Sequence, residues 1–536
     1  MAASSAYDAQ SDSVVDSTIR NSDSHPGATD VKVFNSLDTA SEIERQVMAP
    51  KSRWERSWPV IACGAGLFSD GYLSNVIGSV NTILQRLYPH QYAHSSAQKN
   101  VSSISFAGTV VGQLFFGYLS DHYSRKWSLM ASTIILIIFA ILCTASYGAG
   151  GSIAGMFTAL TAYRFFLGIG IGGEYPAGSV ACAESTGELK EGHRNRWFVL
   201  FTNFQIDFGF VVSALVPMIV VLITSENHLR VAWRIMLGIG VIPPLSLLYL
   251  RFKLNEPEEF NRERLHKYPI WPIVKLYWWR LFCVSFVWFV YDFSAYSFGI
   301  YSSAWLSIIL SPTAPMWKSF GWNTVVNLFY IPGSFSGAFV SDKLGPKKTI
   351  AIGVGLQGII GFIMAGCYKW LDTSKNVGAF VVVYGIFLAL GEFGPGDNLG
   401  LVAAKSCATG VRGQYYGIAA AFGKVGAFVG TYVFPVIQKH APNPIRAGQD
   451  PFFVSSSLCI ASCIIVLLFF PEIGQDTITY EDARFRQYLS KCGYDVDTIM
   501  GTRNGLVQTP SNSTHEDVAR SVDSRSKPED NAHKAE

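Results

Sequence analysis

Three residues with polar groups recur at intervals of four in the apolar stretch SFVWFVYDFSAYSFGIY. They are Trp288, Asp292 and Tyr296. Because successive helical residues are about 100° apart, all three would share one narrow face of a helix. A carboxylate in lipid is costly unless it faces a cavity, a partner or an ion path. The spacing therefore predicts the polar wall of a cavity, although an interfacial aromatic stripe with one stray acid would give the same pattern.

A second charged group lies in the stretch from Arg164 to Pro176, which reads RFFLGIGIGGEYP. Four glycines between positions 168 and 173 would leave one helix surface bare, so that another helix can pack closely against it. Glu174 and Tyr175 then place a carboxylate and a phenol in the same apolar segment. A buried charge generally requires a partner. Arg164 is the candidate partner of Glu174, in a gate or as a purely structural pair.

Further polar residues stand in other apolar segments. Lys424, in GIAAAFGKVGAF, would supply positive charge for an anion, unless its side chain snorkels to the interface. Gln205 could donate to a phosphoryl oxygen or could bridge two helices. The remaining candidates are Asp70 in LFSDGYL and both Asp397 and Asn398 in GEFGPGDNLG.

Membrane-crossing helices are needed to position these residues. Only 15% of the 536 residues are charged, against about 25% in soluble domains. About twelve apolar runs reach the roughly 20 residues that a spanning helix requires, and a charged gap from Arg251 to Arg280 divides them equally. The sequence predicts an all-α membrane protein with twelve transmembrane helices in two six-helix bundles. The predicted bundles span residues 58–253 and 279–471, and a central loop at 254–278 connects them. We expect a disordered tail at 1–57 and a mostly disordered tail at 472–536.

The distribution of Lys and Arg predicts the orientation. If both termini are cytoplasmic, Lys and Arg in the inner loops exceed those in the outer loops by about two to one, as the positive-inside rule requires. The glycosylation sequon at Asn100 would then face outside. A net charge of +3 is too small to indicate nucleic acid binding. The nine cysteines lack metal-binding spacing, and we see no nucleophile or nucleotide-loop motif. We therefore expect no enzyme, no metal and no cofactor.

Two loops half a chain apart share one pattern. The first reads GYLSDHYSRK and contains Asp121 and Arg125, and the second reads GAFVSDKLGPKK and contains Asp342 and Lys347. These acids and bases could form a gate that breaks and re-forms, although positive charges alone would also anchor the topology. The repeated pattern resembles the inner-loop motif of the major facilitator superfamily, whose halves are internal repeats.

Within that superfamily the chain resembles the phosphate:proton symporters and, through GIGIGGEYPAGSVACAES, the fungal glycerophosphoinositol permeases. This resemblance implies a binding face at W-x3-D-x3-Y, with Asp292 alternating between proton and substrate. It also implies that Glu174 and Asp70 lie on the proton route. The residues that it implies for the phosphodiester are Tyr175, Gln205, Tyr296 and Lys424, and it implies that Trp288 stacks against the glycerol or head group.

One position departs from the phosphate symporters, which place Asn directly after Gly-Pro. Here Gly396 follows, and we expect the lost side chain to open space for a polar substituent that Asp397 and Asn398 would meet. The resemblance therefore implies proton-coupled import of glycerophosphodiesters by a monomer in the plasma membrane. Inorganic phosphate import, carriage of another metabolite and a non-transporting nutrient receptor remain alternatives.

Overall fold

Helices make up most of the residues that the computed structural model describes, and no strand occurs among those residues. These are residues 53–93, 95–186, 192–310, 314–371, 375–475 and 477–500. The parts of the predicted tails before residue 53 and after residue 500 lie outside these ranges. The described helices from Trp54 onward belong to one compact unit.

Eleven helices within the described ranges are long and apolar enough to cross a membrane. Their bounds are α1 Ser57–Leu87, α2 Ala97–His122, α3 Arg125–Thr144, α4 Ile153–Ser185, α5 Arg194–Thr224, α6 Glu226–Phe252, α7 Ile270–Ser307, α9 Pro346–Leu371, α10 Val377–Lys405, α11 Thr409–His440 and α12 Pro444–Phe469. The predicted eighth span is divided into two helices, Met316–Leu328 and Tyr330–Leu344, which meet at Phe329 and together form α8. All twelve predicted spans are therefore helical, and the eighth contains a break.

Two of these helices widen at corresponding places, in the fourth span of each half. α4 contains a π-helical turn, which we call a wide turn, at Glu174–Ser179. α10 contains a second wide turn at Glu392–Gly396. Each turn begins with a glutamate and includes a proline and a glycine. Proline removes a helical N–H donor, and a wide turn is one local adjustment to that loss. Such turns are frequent at functional sites.

The glycines of α4 allow it to pack directly against α2. A Cβ added to Gly168 would lie 2.0 Å from the Ser105 carbonyl oxygen, and one added to Gly108 would lie 1.9 Å from that of Phe165. Only glycine fits at either position without moving a helix. The predicted bare surface on α4 is confirmed at this contact.

Three pairs of helices make most of the contacts between the two halves, whose helices otherwise pack mainly among themselves. α2 lies against α11, α5 against α8, and α1 against α7. Polar residues on the inner sides of these helices are therefore contributed by both halves.

Two regions are more helical than the sequence predicted. α7 begins at Ile270, inside the predicted central loop, which also contains the short helix Glu258–Glu263. After α12, helices α13 (Thr477–Lys491) and α14 (Val496–Met500) occupy part of the tail that we expected to be mostly disordered. The low average hydrophobicity of that tail hid the apolar stripe of α13, whose Phe485 and Leu489 are buried.

Candidate substrate-binding site

Five of the predicted residues form a continuous series of contacts between the two halves. Tyr175 donates a hydrogen bond to Asp70 Oδ2. The hydroxyl oxygen of Tyr175 lies 3.4 Å from that of Tyr296, across the boundary between the halves. Lys424 donates to Tyr296, and its Nζ lies 3.3 Å from Asp292 Oδ2. A buried ion pair and a buried phenol pair are thus directly connected.

These five side chains are at most 9% exposed, and all except Asp70 line one central cavity. Trp288 lines it too, so the W-x3-D-x3-Y residues share one polar wall as their spacing predicted. The cavity has a volume of about 50 Å3. That volume holds a few waters and is too small for an organic phosphate, so binding requires the side chains to separate. The burial of Lys424 excludes snorkelling to the interface.

Glu174 lies outside this cavity, and its partner is not the predicted one. Arg251, in the last turn of α6, donates two hydrogen bonds of 2.6 Å to the two carboxylate oxygens of Glu174. Arg164 instead donates to the Val101 carbonyl at 2.7 Å and to Ser105 at 3.1 Å. The predicted Arg164–Glu174 pair is wrong because ten residues of helix separate the two by about 15 Å.

Two predicted substrate contacts do not reach the cavity in this conformation. Gln205 donates at 3.2 Å to the Leu200 carbonyl. Asn398 donates at 2.9 Å to the Gly394 carbonyl. Neither residue lines the cavity, whereas Asp397 does. A substrate role for Gln205 and Asn398 stays a prediction.

The space expected beside Gly396 is filled. A Cβ at this position would lie 2.0 Å from Glu392 Oε2 and 2.7 Å from the Tyr291 hydroxyl. The carboxylate of Glu392 therefore occupies the volume that the missing side chain vacates, and our expectation of open space was wrong. Because position 396 has no Cβ, Glu392 can fold back over the turn.

Charged side chains close one end of the bundle, which we call the loop face because it carries the loops after α2 and α8. Arg125 donates at 2.6 Å to Asp121 and at 3.1 Å to Glu184. Arg412, from the second half, donates at 3.1 Å to the same oxygen of Glu184. Asp121 also accepts from the Gly413 N–H at 2.8 Å. The halves are therefore tied together by buried charges at this end.

The second loop makes a comparable connection. Asp342 Oδ1 accepts from the Arg196 backbone N–H at 3.0 Å, and Asp342 Oδ2 lies 3.6 Å from Arg196 Nε. Lys347 does not cross between the halves, since it lies 3.5 Å from Glu472. Of the two predicted gate residues in this loop, only Asp342 bridges the halves.

Helix α13 reinforces the loop face. Asp482 accepts from the Thr409 backbone N–H at 2.6 Å and from its hydroxyl at 2.7 Å. Burial raises the pKa of Asp482, despite these hydrogen bonds and the nearby Arg412 guanidinium. The Thr409 carbonyl accepts a hydrogen bond from Arg125 at 3.2 Å. Thr409 therefore links α13 to the charged residues of the loop face.

At the opposite end, Glu226 links the two halves. Its Oε1 accepts from the Met316 backbone N–H of the second half at 2.7 Å, and its Oε2 lies 2.7 Å from Arg86. The two halves are therefore also connected at this end, opposite the loop face.

Comparison with known proteins shows which family the chain belongs to. The family model described as "Sugar (and other) transporter" matches residues 58–267 and 258–483. The chain belongs to this transporter family, a branch of the major facilitator superfamily. Its relatives are permeases and transporters rather than enzymes.

Several curated relatives match this transporter over most of its length. It is 50% identical over 473 residues to the major glycerophosphoinositol permease of Candida albicans, covering 87% of each chain. It is 50% identical over 446 residues to a glycerophosphocholine permease of that yeast, covering 82% of this chain and 83% of the relative. It is 32% identical over 462 residues to glycerophosphoinositol transporter 1 of Saccharomyces cerevisiae, covering 85% and 87%.

Solved structures agree on the architecture. The proton:xylose symporter XylE bound to 6-bromo-6-deoxy-D-glucose superposes with a TM-score of 0.67 at 16% identity, covering 80% of this transporter and 98% of XylE. The predicted fold class, twelve helices in two six-helix halves, is confirmed by this likeness and by the family match.

Sequence reasoning missed Asn203, Glu392 and Arg251. Asn203 and Glu392 line the cavity, and Arg251 holds Glu174. The match between GGEYPAG and LGEFGPG, half a chain apart, could have revealed Glu392 as the counterpart of Glu174. No local pattern distinguishes Arg251 from the other basic residues that follow it.

Proposed function

We propose that this transporter imports glycerophosphodiesters, such as glycerophosphoinositol and glycerophosphocholine, together with protons. The observation that carries the proposal is Lys424, a buried cation in a cavity lined by both halves, 3.3 Å from Asp292. A phosphodiester bears one negative charge and forms strong charge-assisted hydrogen bonds with an ammonium. The names of relatives at 50% identity support this substrate class.

Proton coupling follows from competition for Lys424. When Asp292 is protonated, the Lys424 ammonium is free to bind the phosphodiester. When Asp292 loses its proton, the carboxylate takes the ammonium back and the substrate is released, because a buried charge needs a partner. Each turnover would thus carry a proton with the anion.

The hydrogen-bonded series extends the proton path in this proposal. Asp70 is joined to the cavity through Tyr175 and Tyr296. Glu174 is left out of the path because Arg251 occupies both of its oxygens.

Alternating access requires the loop face and the opposite end to open in turn. We assign the Asp121–Arg125 cluster as the inner gate, with the loop face and both termini in the cytoplasm, as the Lys and Arg distribution favours. The proposed location is the plasma membrane, and the proposed functional unit is a monomer.

Uptake of labelled glycerophosphoinositol by a transport-deficient yeast that expresses this chain tests the proposal. We expect uptake at pH 5 to exceed uptake at pH 7.5, and we expect competition by glycerophosphocholine but not by inorganic phosphate. Phosphate competition would favour an inorganic phosphate carrier, the activity named for a rice relative of 27% identity. No uptake despite surface expression would overturn the substrate assignment.

A further inference from the structure

Three carboxylates in and beside the cavity wall are not used by the proposed phosphate and proton chemistry. We call Asp207, Glu392 and Asp397 the acid cluster. One amide nitrogen, Asn203 Nδ2, lies within hydrogen-bond distance of all three, at 3.3 Å from Asp207, 3.0 Å from Glu392 and 3.0 Å from Asp397. Glu392, Asp397 and Asn203 line the same cavity as Lys424.

The acid cluster is buried and lacks positive charge. Its three side chains are at most 4% exposed. No described Lys, Arg or His forms an ion pair with them. Asp207 and Glu392 interact with each other, and the neutral partners include the Tyr291 hydroxyl, 2.8 Å from Glu392, and the Ser334 hydroxyl, 2.6 Å from Asp397. Within the described residues, Asp207 Oδ1 and Asp397 Oδ2 accept no hydrogen bond. Buried carboxylates in this state are costly unless a proton or a cation joins them.

Glu174 and Glu392, which occupy equivalent positions in the two halves, differ in whether a basic side chain pairs with them, and this difference indicates that a cation binds beside Glu392. Glu174 and Glu392 begin equivalent wide turns. Glu174 receives the guanidinium of Arg251 from the last turn of α6. The last turn of α12, the corresponding helix, contains no basic residue. The carboxylate that faces the cavity is therefore the one without a resident cation.

Aromatic rings line the cavity that the acid cluster borders, and those of Tyr291 and Tyr330 lie near Glu392 and Asp207. Tyr291, Tyr330, Phe210 and Trp288 line the cavity with Glu392, and Phe210 and Tyr330 lie 5.3 Å apart between ring centres. A carboxylate combined with aromatic faces is the environment that binds quaternary ammonium groups.

We infer that the acid cluster binds a cationic head group, the trimethylammonium of a glycerophosphocholine-type substrate, while Lys424 binds its phosphodiester. The cavity would then match a zwitterion, with one cation and one group of carboxylates inside the same enclosure. Gly396 contributes by leaving room for the Glu392 carboxylate. This inference rests on the proposed function and specifies its substrate.

The test compares two substrates that share the phosphodiester and differ in head-group charge. KM values for glycerophosphocholine and glycerophosphoinositol are measured in transport-deficient yeast that expresses the full chain or a variant at verified surface abundance. Glu392→Gln keeps the shape and removes the charge, and we expect it to raise the KM for glycerophosphocholine at least tenfold and to change the KM for glycerophosphoinositol less than twofold. Asp450→Asn is the matched control, since Asp450 is a partly exposed acid paired with Arg446 outside the cavity.

The other outcomes separate the two proposals. Equal losses for both substrates in Glu392→Gln would overturn the inference and indicate a proton or structural role. A rise in KM for glycerophosphoinositol alone would overturn the inference and indicate that Glu392 binds the hydroxyl groups of inositol. If Glu392→Gln fails to reach the surface, Asp397→Asn carries the same comparison. A wild-type protein that takes up only glycerophosphoinositol would defeat this inference alone, and one that takes up neither would defeat the proposed function as well.

Discussion

Arg251 and Glu174 form a two-point ion pair between residues 77 positions apart in the chain. Both side chains are at most 2% exposed. The pair clamps the end of α6 to the wide turn of α4, immediately before Tyr175, which lines the substrate cavity. This contact supports the site from outside the cavity.

Glu174→Gln should destabilise the protein strongly. The change leaves the Arg251 guanidinium buried without an anion, which costs about 3–5 kcal/mol in free energy of unfolding. Thermal unfolding of the purified variant in detergent measures the loss. The double variant Glu174→Gln/Arg251→Met should recover part of it, because neither charge then remains. A single variant as stable as the wild type would contradict this account.

Lys424→Ala and Asp292→Asn should fail in different ways. Lys424→Ala removes the cation for the phosphodiester, so substrate binding should weaken at least 100-fold at every pH. Asp292→Asn frees Lys424 permanently, so binding at pH 7.5 should equal or exceed that of the wild type while acid-stimulated accumulation disappears. Binding to purified protein and uptake by cells, measured in parallel, distinguish the two. Loss of binding in Asp292→Asn would count against the competition mechanism.

Gly396→Ala should impair transport although it adds only a methyl group. The new Cβ would lie 2.0 Å from Glu392 Oε2, and displacing that carboxylate breaks its contacts with Asn203 and Tyr291. We expect glycerophosphocholine uptake at substrate concentrations below KM to fall at least fivefold at equal surface abundance. Gly366→Ala is the control, because an added Cβ there meets no atom within 4 Å. Equal uptake by the two variants would show that the position of Glu392 is unimportant.

Glu184→Gln should loosen the loop face. Glu184 is the acceptor shared by Arg125 and Arg412, from opposite halves. Cys407 is buried beside this cluster, and burial raises the pKa of its thiol, so it should react slowly with maleimides in the wild type. In a Cys492→Ser background, which removes an exposed thiol, Glu184→Gln should speed labelling of Cys407 at least tenfold. Unchanged labelling would mean that this ion pair does not hold the end closed.

Docking of α13 should tighten as the pH falls. Burial raises the pKa of Asp482 above its ordinary value of 3.8, so the docked helix binds a proton more tightly than the undocked helix does. Above the raised pKa the ionised carboxylate opposes docking, and this penalty decreases as protonation begins. Hydrogen exchange of the α13 amides, corrected for intrinsic rates, should show more protection at pH 5 than at pH 7.5. Asp482→Asn should remove the difference, and a difference that persists would assign it to another group.

Helical periodicity alone was enough to place Trp288, Asp292 and Tyr296 on one wall, because that relation depends only on the local rise and turn of a helix. The twelve spans were likewise readable from hydrophobic length. The loop pattern around Asp121 and Asp342 indicated contacts at one end of the bundle, and both residues make such contacts.

Partners that come from distant helices were decided by tertiary packing. Arg164 was the nearest cation to Glu174 in sequence, yet Arg251 is its partner, since the choice depends on which helix end packs against the wide turn. Gly396 indicated a missing side chain, and only packing determined that Glu392 fills the gap. The sequence by itself therefore determined the membrane-spanning helices, their number and their polar faces, which follow from local geometry and hydrophobicity. The tertiary structure decided which buried charges meet and which carboxylates face the cavity without a cation, because those relations join residues from helices far apart in the chain.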